Sequence, residues 1–400
     1  MKELSLKSLL TFRNFIIVCC FTSAVSAVLG GAIVYAVIVI YSVFHVLFIT
    51  RRNKRNNFLC IFIYVIAVLS VAANYFEIEP IFRVEERIIM LLLVMLAYAP
   101  MINNRQIFIF RKQVFIFFSI GLLFMAIASA VLALKGYGYT GIYLIGLSNW
   151  PNSLGYAFGI SIIVLLSCLK FVNKYIKIIF VFIIVLCIYM IPKTGTRTAL
   201  YSVPVLLLLY TYFNTVSIKT WLRSLVSVII IVFCFLSLIK LDMSIINMKN
   251  EIAIETGMSS RDKIFEARMK EFHESPILGV GTFRCLMKYQ RVNSNGNVEG
   301  GNSFLMFLSM NGIIGFIVLV IFYVTSVFSF MKYIYRKRKY GLSTFEQFLC
   351  LVLVFNFVYM QQAGALLNPG FYITGFNWLS LSMAYMYPRY NKYIVYDRTK

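Results

Sequence analysis

Negative charge is scarce in this chain. Only 15 of its 400 residues are Asp or Glu, and charged residues of both signs make up 13%, about half the roughly 25% usual in soluble proteins. With 60% of residues hydrophobic, a soluble globule is excluded. Histidine is scarcer still, at 2 residues, and no CxxC or His/Cys cluster is present, so the ligand sets that hold zinc are missing and no metal is expected. Cys19, Cys20, Cys60, Cys168, Cys187, Cys234 and Cys350 fall in apolar runs, where cysteine packs as a small apolar residue. Cys285 has no second loop cysteine with which to form a disulfide. No G-x-x-x-x-G-K-[ST] occurs, which argues against a nucleotide-driven pump, and no cofactor is expected. Apart from Glu346 at an edge, no carboxylate lies inside a confidently placed apolar run, so a proton or sodium relay lacks its usual carriers.

What the chain does have is apolar runs of membrane-spanning length, about 20 residues each. They lie near Leu9–Leu29, Ala32–Thr50, Phe58–Phe76, Arg87–Ile102, Val114–Leu134, Ser153–Phe171, Ile176–Ile191, Ala199–Thr215, Leu222–Lys240, Ser303–Phe322, Phe345–Leu366 and Phe371–Tyr387. The expected fold is an all-α polytopic membrane protein: a single integral membrane domain over residues 1–400 with about twelve transmembrane helices. A cleaved signal peptide ending in Ser23–Ala27 is the competing reading of the N-terminus, but a second apolar run follows at once.

The formal charge of +23 would suggest nucleic acid in a soluble protein. Here it sorts by side. With a cytoplasmic N-terminus, the inner segments collect clusters such as Arg51, Arg52, Lys54 and Arg55, then Arg105, Arg111 and Lys112, and later Arg336, Lys337, Arg338 and Lys339, with Glu3, Glu346 and Asp397 as the only acids on that side. Short basic loops stay inside, so both termini are expected to be cytoplasmic. Membrane lipid is then the partner of the basic surplus, and no nucleic acid is expected.

Polar residues that could do chemistry gather on the opposite face. The connection 241–302, between spans 9 and 10, is a large outer loop of a length that usually has a function. Within it Ser259 and Asp262 stand in the S-x-x-[DE] relation that starts a helix. Phe265, Met269 and Phe272 follow at one-face spacing, and Pro276 ends the helix. Arg261 lies in its first turn, where free N–H groups and the helix dipole favour anions and a guanidinium adds a fork-shaped donor set suited to phosphate. An ordinary solvated Arg, on a helix that also carries Lys263, Arg268 and Lys270, is the alternative. Arg197 opens an inward-running span with Thr194, Thr196 and Thr198 as candidate caps, and either snorkels to headgroups or faces a ligand. Asn302 and Ser303 open the tenth span, and Pro151 and Asn152 the sixth. This concentration of caps and arginines suggests an outward anionic site.

In order, the chain reads Thr194-Gly195-Thr196-Arg197-Thr198, a long outer loop with its Arg, Pro276-Ile277-Leu278-Gly279-Val280-Gly281, and Gly301-Asn302-Ser303-Phe304-Leu305 leading to Asn311-Gly312-Ile313-Ile314-Gly315. This series resembles the O-antigen ligase and polymerase superfamily over about residues 148–323. The resemblance implies that Arg197 and Arg261 contact the diphosphate of an undecaprenyl-diphosphate-linked glycan; Asn152, Thr196, Asn302 and Ser303, at the capped span starts, are the expected substrate-binding residues. Ligases of the family carry His before the Asn, whereas this chain has Gly301. That departure favours a Wzy-type polymerase of O-antigen or capsular polysaccharide and leaves the general base open among Glu251, Glu255, Asp262, Glu266, Glu274 and Glu299. His273 is expected to be a plain surface residue. The resemblance further implies residence in the bacterial cytoplasmic membrane and a chain-length-regulating membrane protein as a further partner. A ligase, or a lipid-linked-oligosaccharide flippase, is the alternative.

Overall fold

The computed structural model describes residues 31–49, 54–148, 150–215, 243–255, 260–290, 301–364 and 372–391, with 217, 219–223, 226, 292, 296 and 366–368 between them. The expected span Leu9–Leu29, most of Leu222–Lys240, the Ser259 helix start and Glu299 lie outside the described residues. Helices account for nearly everything described; the four strands are two residues each. In chain order the α-helices are α1 (Gly31–Phe44), α2 (Phe58–Ala73), α3 (Val84–Tyr98), α4 (Arg105–Leu134), α5 (Pro151–Cys168), α6 (Lys174–Met190), α7 (Arg197–Asn214), α8 (Ser244–Glu255), α9 (Ser260–Glu274), α10 (Ser303–Lys337), α11 (Thr344–Met360) and α12 (Tyr372–Tyr390).

Four stretches are long and apolar enough to cross a membrane: Arg105–Leu134, Pro151–Phe171, Lys174–Thr194 and Ser303–Lys337. Val34–Phe48, Phe58–Ala73 and Thr344–Met360 are shorter apolar helices, so the expected count of about twelve spans is not reached among the described residues. The expected positions agree better than the ends. The fourth run starts at Val84 rather than Arg87 because Glu85 and Glu86 occupy the first helical turn, where carboxylates complement the helix dipole. The tenth runs on to Lys337 instead of stopping at Phe322.

Two compact units partition the chain. In the first, built mainly from Gln113–Lys249 and Met331–Phe355, α5 is almost entirely buried and packs on α6 and α7. Lipid tails are as apolar as leucine, so such helices are held by close packing and internal polar bonds. Gly159 permits one such approach: a Cβ there would lie 2.2 Å from the Phe355 ring. Glu346 is fully buried but serves the backbone. Its carboxylate accepts from the Ser343 amide at 2.7 Å and from Lys337 Nζ at 2.5 Å, a capping box at the start of α11.

The second unit comprises Val39–Lys112, Asn250–Phe330 and the described residues after Asn356. At one end of it, Arg55 and Asn56 pair with Asn103 and Ile102. Arg111, read from sequence as an inner-loop charge, is instead completely buried. It donates to the carbonyls of Leu96 at 2.9 Å, Ala97 at 2.8 Å and Ile102 at 3.1 Å, closing the C-terminal end of α3, whose last carbonyls lack intrahelical donors.

In the same unit α10 breaks. Gly312 sits at φ 64°, ψ −172° inside the helix, which frees backbone groups that hydrocarbon cannot satisfy. The turn 276–281 supplies the partners. Val280 N donates to Ser309 O at 3.0 Å, Gly281 N to Met310 O at 3.2 Å, and Ile313 N to Pro276 O at 2.8 Å. Thr282 Oγ1 reaches Asn311 Oδ1 at 2.7 Å, and Ser70 Oγ from α2 also donates to Met310 O. The glycines in this turn and in Asn311–Gly315 are thus two halves of one lap joint between the long loop and the broken helix.

Candidate functional site

The two candidate arginines belong to different units, and each has its own surroundings. In the first unit, Gly195 at φ 66° turns the chain and Thr196 precedes α7. Thr196 makes no side-chain cap bond, contrary to the capping role expected for it. Its buried hydroxyl lies 3.4 Å from Pro151 O and from Asn152 Oδ1 and 2.8 Å from Thr194 Oγ1. Thr194 in turn donates to Ile191 O at 2.7 Å. Helix α5 comes so close that a Cβ on Gly155 would lie 2.4 Å from the Thr196 hydroxyl. Two helix N-termini therefore meet at Thr196, with Arg197, half-buried, as the first residue of α7. Asn152 and Thr196, singled out separately in the sequence, are in contact.

In the second unit, Arg261 lies in the first turn of α9, part-buried, and its Nη1 donates to Gly301 O at 3.0 Å. Asn302 caps α10 as expected: Oδ1 accepts from Phe304 N at 2.8 Å and Leu305 N at 3.1 Å. Its Nδ2 donates to Gln361 Oε1 at 3.1 Å, and Ser303 Oγ donates to Ala363 O. Tyr359, buried at the end of α11, is within electrostatic reach of Arg261. Arg261, Asn302 and Ser303 are thus brought together, with the end of α11 as a member that sequence reasoning missed. The signal was a Gln361-Gln362 pair closing an otherwise apolar run.

Gly301 explains its own identity. It has φ +62°, and a Cβ would come within 2.9 Å of Ile264 and 3.1 Å of the Phe265 ring. A histidine there would be strained in backbone and crowded by α9.

Helix α9 corrects the sequence reading on one face. Met269 is exposed although it was assigned to the apolar side. The buried stripe is Ala267, Arg268 and Glu271 with part-buried Ile264, the same i, i+3, i+4, i+7 spacing shifted in register and containing an ion pair of 2.8 Å. Arg268, expected among the solvated charges, is fully buried. His273 is exposed, as expected.

Of the candidate bases, Glu266 bonds to Lys270 at 2.7 Å, and that hydrogen bond holds its carboxyl below the usual range. Glu274 is held down similarly by Lys288 and Tyr289, which makes both poorer proton acceptors. Asp262 and Glu251 are exposed. The side chains of Glu255 and Glu299 lie outside the described residues.

Residues 182–320, which contain Arg197, Arg261 and the Gly301–Gly315 segment, match a family model described as O-antigen ligase. This match supports the resemblance to the O-antigen ligase/polymerase superfamily. No curated protein matches the chain. The matched O-antigen ligase region begins within α6 and ends within α10, so it takes in both arginine clusters and the lap joint. The match supports a ligase/polymerase-type, glycosyltransferase-like activity, in a region whose described helices are largely apolar.

Proposed function

We propose that this chain is a polysaccharide polymerase that joins undecaprenyl-diphosphate-linked oligosaccharide repeat units into O-antigen or capsular polysaccharide on the outer face of the bacterial cytoplasmic membrane, with both termini inside. The observation that carries it is the bond from Arg261 to Gly301 O beside the Asn302-capped start of α10. It fixes a permanent cation next to a helix N-terminus, a setting suited to a diphosphate.

In the reaction, a sugar hydroxyl of one repeat unit attacks the anomeric carbon of the lipid-linked chain. The new C–O bond forms as the bond to the lipid diphosphate breaks, and the hydroxyl proton passes to a carboxylate base or to water. Diphosphate departs with its charge, so arginine donors, of the kind offered by Arg261 in one unit and by Arg197 in the other, would supply much of the catalysis without a metal. Asn302 and Ser303 already spend their polar atoms on the cap, Gln361 and Ala363, so they set the shape of the site. Asn152 and Thr196 hold the start of α7 in the same way.

Polymerase is preferred to ligase because Gly301 stands where the ligase pattern has His and is packed against α9. Ligase is the second reading, favoured by the description of the matching family. A flippase would leave that match unexplained. The glycan phenotype of a deletion separates the three. Single repeat units on the final acceptor are expected for a polymerase. Full-length chains stranded on carrier lipid would make it a ligase, and single units trapped on carrier lipid inside the cell would make it a flippase. A chain-length-regulating partner would be detected by co-purification with the full chain.

A further inference from the structure

A second basic cluster lies beneath α9, on the side away from solvent. Arg268 is fully buried and Arg284 is 6% exposed. Arg268 uses Nη1 alone: it meets Glu271 Oε2 at 2.8 Å, with Arg284 O and Ser309 Oγ each at 3.4 Å. Glu271 is engaged at both oxygens. Its other oxygen accepts from Leu286 N at 2.9 Å and Gln290 Nε2 at 3.1 Å. Arg284 reaches Glu77 with Nη2 at 3.5 Å, and that carboxylate is 73% exposed.

Three guanidinium nitrogens are left over: Nε and Nη2 of Arg268 and Nη1 of Arg284 are buried and have no hydrogen-bond partner among the described residues. Nε and Nη2 share one edge of the planar guanidinium, the edge that presents two parallel N–H groups to the two oxygens of a carboxylate or phosphate. Water could satisfy the donors but not the charge. Among the described residues two buried cations face one buried carboxylate, and an uncompensated buried charge is strongly destabilising. The long contact between Arg284 and the exposed Glu77 links the cluster to the surface.

We propose that Arg268 and Arg284 form a binding site for a small oxyanion, a carboxylate or a phosphate, distinct from the Arg261 cluster. An acidic sugar of the glycan and a free inorganic ion are its two sources. Neither the family match nor the diphosphate reading assigns these residues, and the proposal stands without that reading.

The test is calorimetric titration of the purified full-length chain in detergent with inorganic phosphate and, separately, with glucuronate at constant ionic strength. Both titrations are run in the wild type and in Arg261→Gln, which removes any contribution from the other cluster. Saturable binding in Arg261→Gln is expected, weakened at least tenfold by adding Arg284→Gln or Arg268→Lys. The lysine keeps an ammonium opposite Glu271 while deleting the vacant edge, and thermal melting checks that each variant is folded. Binding of glucuronate identifies an acidic sugar as the source, and binding of phosphate alone identifies the inorganic ion. Absence of saturable binding in folded Arg261→Gln, or binding unchanged by both second substitutions, overturns the proposal. Neither result bears on whether Arg261 itself is needed for polymerisation.

Discussion

The Arg261 guanidinium donates to the main-chain carbonyl of Gly301, 3.0 Å away and 40 positions along the chain. The bond ties the first turn of α9 to the residue just before the Asn302 cap, so the cation and the start of α10 are positioned by one another. An arginine whose Nη1 is anchored in this way keeps its other donors in a fixed orientation, which a solvated arginine on an amphipathic helix would not do.

Arg261→Ala and Arg197→Ala are expected to abolish long-chain polysaccharide at unchanged protein level, since loss of one charge-stabilising donor costs about 10²–10³ in rate. Lysine should rescue poorly at either position because an ammonium cannot make the bidentate contact. Chain-length ladders from membranes of each variant, alongside an immunoblot, are the measurement. Wild-type ladders from both alanine variants would remove the assignment.

The lap joint makes a sharper structural prediction. A Cβ at Gly279 would lie 2.3 Å from the Met310 carbonyl carbon, and one at Gly312 would lie 2.1 Å from Ile277 O. Both glycines have positive φ, and the clashing atoms are backbone, which cannot swing aside. Gly279→Ala and Gly312→Ala should each cost more than the roughly 1–3 kcal/mol of a strained backbone conformation alone. The expected readout is little folded protein after detergent extraction. Gly136→Ala, with positive φ but nothing within 4 Å, is the control and should extract much more like the wild type.

Such joints mark the boundary of what the sequence displayed. Apolar runs and caps were legible because they are local: the Asn302 cap, the helix that stops before Pro276, and the helix start near Asp262 all stand where spacing puts them. The partners of those elements were not. Nothing local says that the turn 276–281 fills the break at Gly312, or that Gln361 meets Asn302 from 59 positions away. Arg268 was read as surface charge because hydropathy scores each side chain singly, whereas its buried ion pair with Glu271 is a property of two. Arg111 misled for the same reason: its three carbonyl partners come from the preceding helix end and turn. Thr196 kept its place in the site but exchanged a cap for a contact with Asn152, which no spacing rule encodes.

Gly301 carries the distinction between polymerase and ligase, and two substitutions probe it. Gly301→Ala places a Cβ against Ile264 and Phe265 at φ +62°, so lower stability by about 1–3 kcal/mol is expected, together with shorter chains as Arg261 loses its anchor. Gly301→His should be no better, and it should not create ligase activity, because the ring has no room beside α9. Asn302→Ala, which removes the cap and the bond to Gln361, is expected to cost at least the roughly 1 kcal/mol of the cap. Thermal melting in detergent and the polysaccharide ladder report the two effects separately. A Gly301→His chain that melts like the wild type would mean that α9 is not packed against this position.

Cys285 offers a test of the loop core that needs no glycan. It is buried in a cluster with Phe82 and Val84, and burial pushes its thiol up to about 11, with Arg268 and Arg284 pulling the other way. The thiolate is the reactive species, so at pH 7.5 only a few parts in ten thousand would be reactive even if the sulfur were reachable. Alkylation by iodoacetamide, followed at the Cys285 peptide by mass spectrometry, should be very slow in the folded chain and fast after denaturation, when the thiol returns to its ordinary range near 8.5. Raising the pH toward 10 should accelerate labelling of the folded chain without reaching the denatured rate. Arg284→Gln removes one of the two cations that favour the thiolate and should slow labelling further. Faster labelling in that variant would show that Arg284 shields the sulfur rather than acting on its charge. Labelling of the folded wild type at the denatured rate would place Cys285 outside the core formed with Phe82 and Val84.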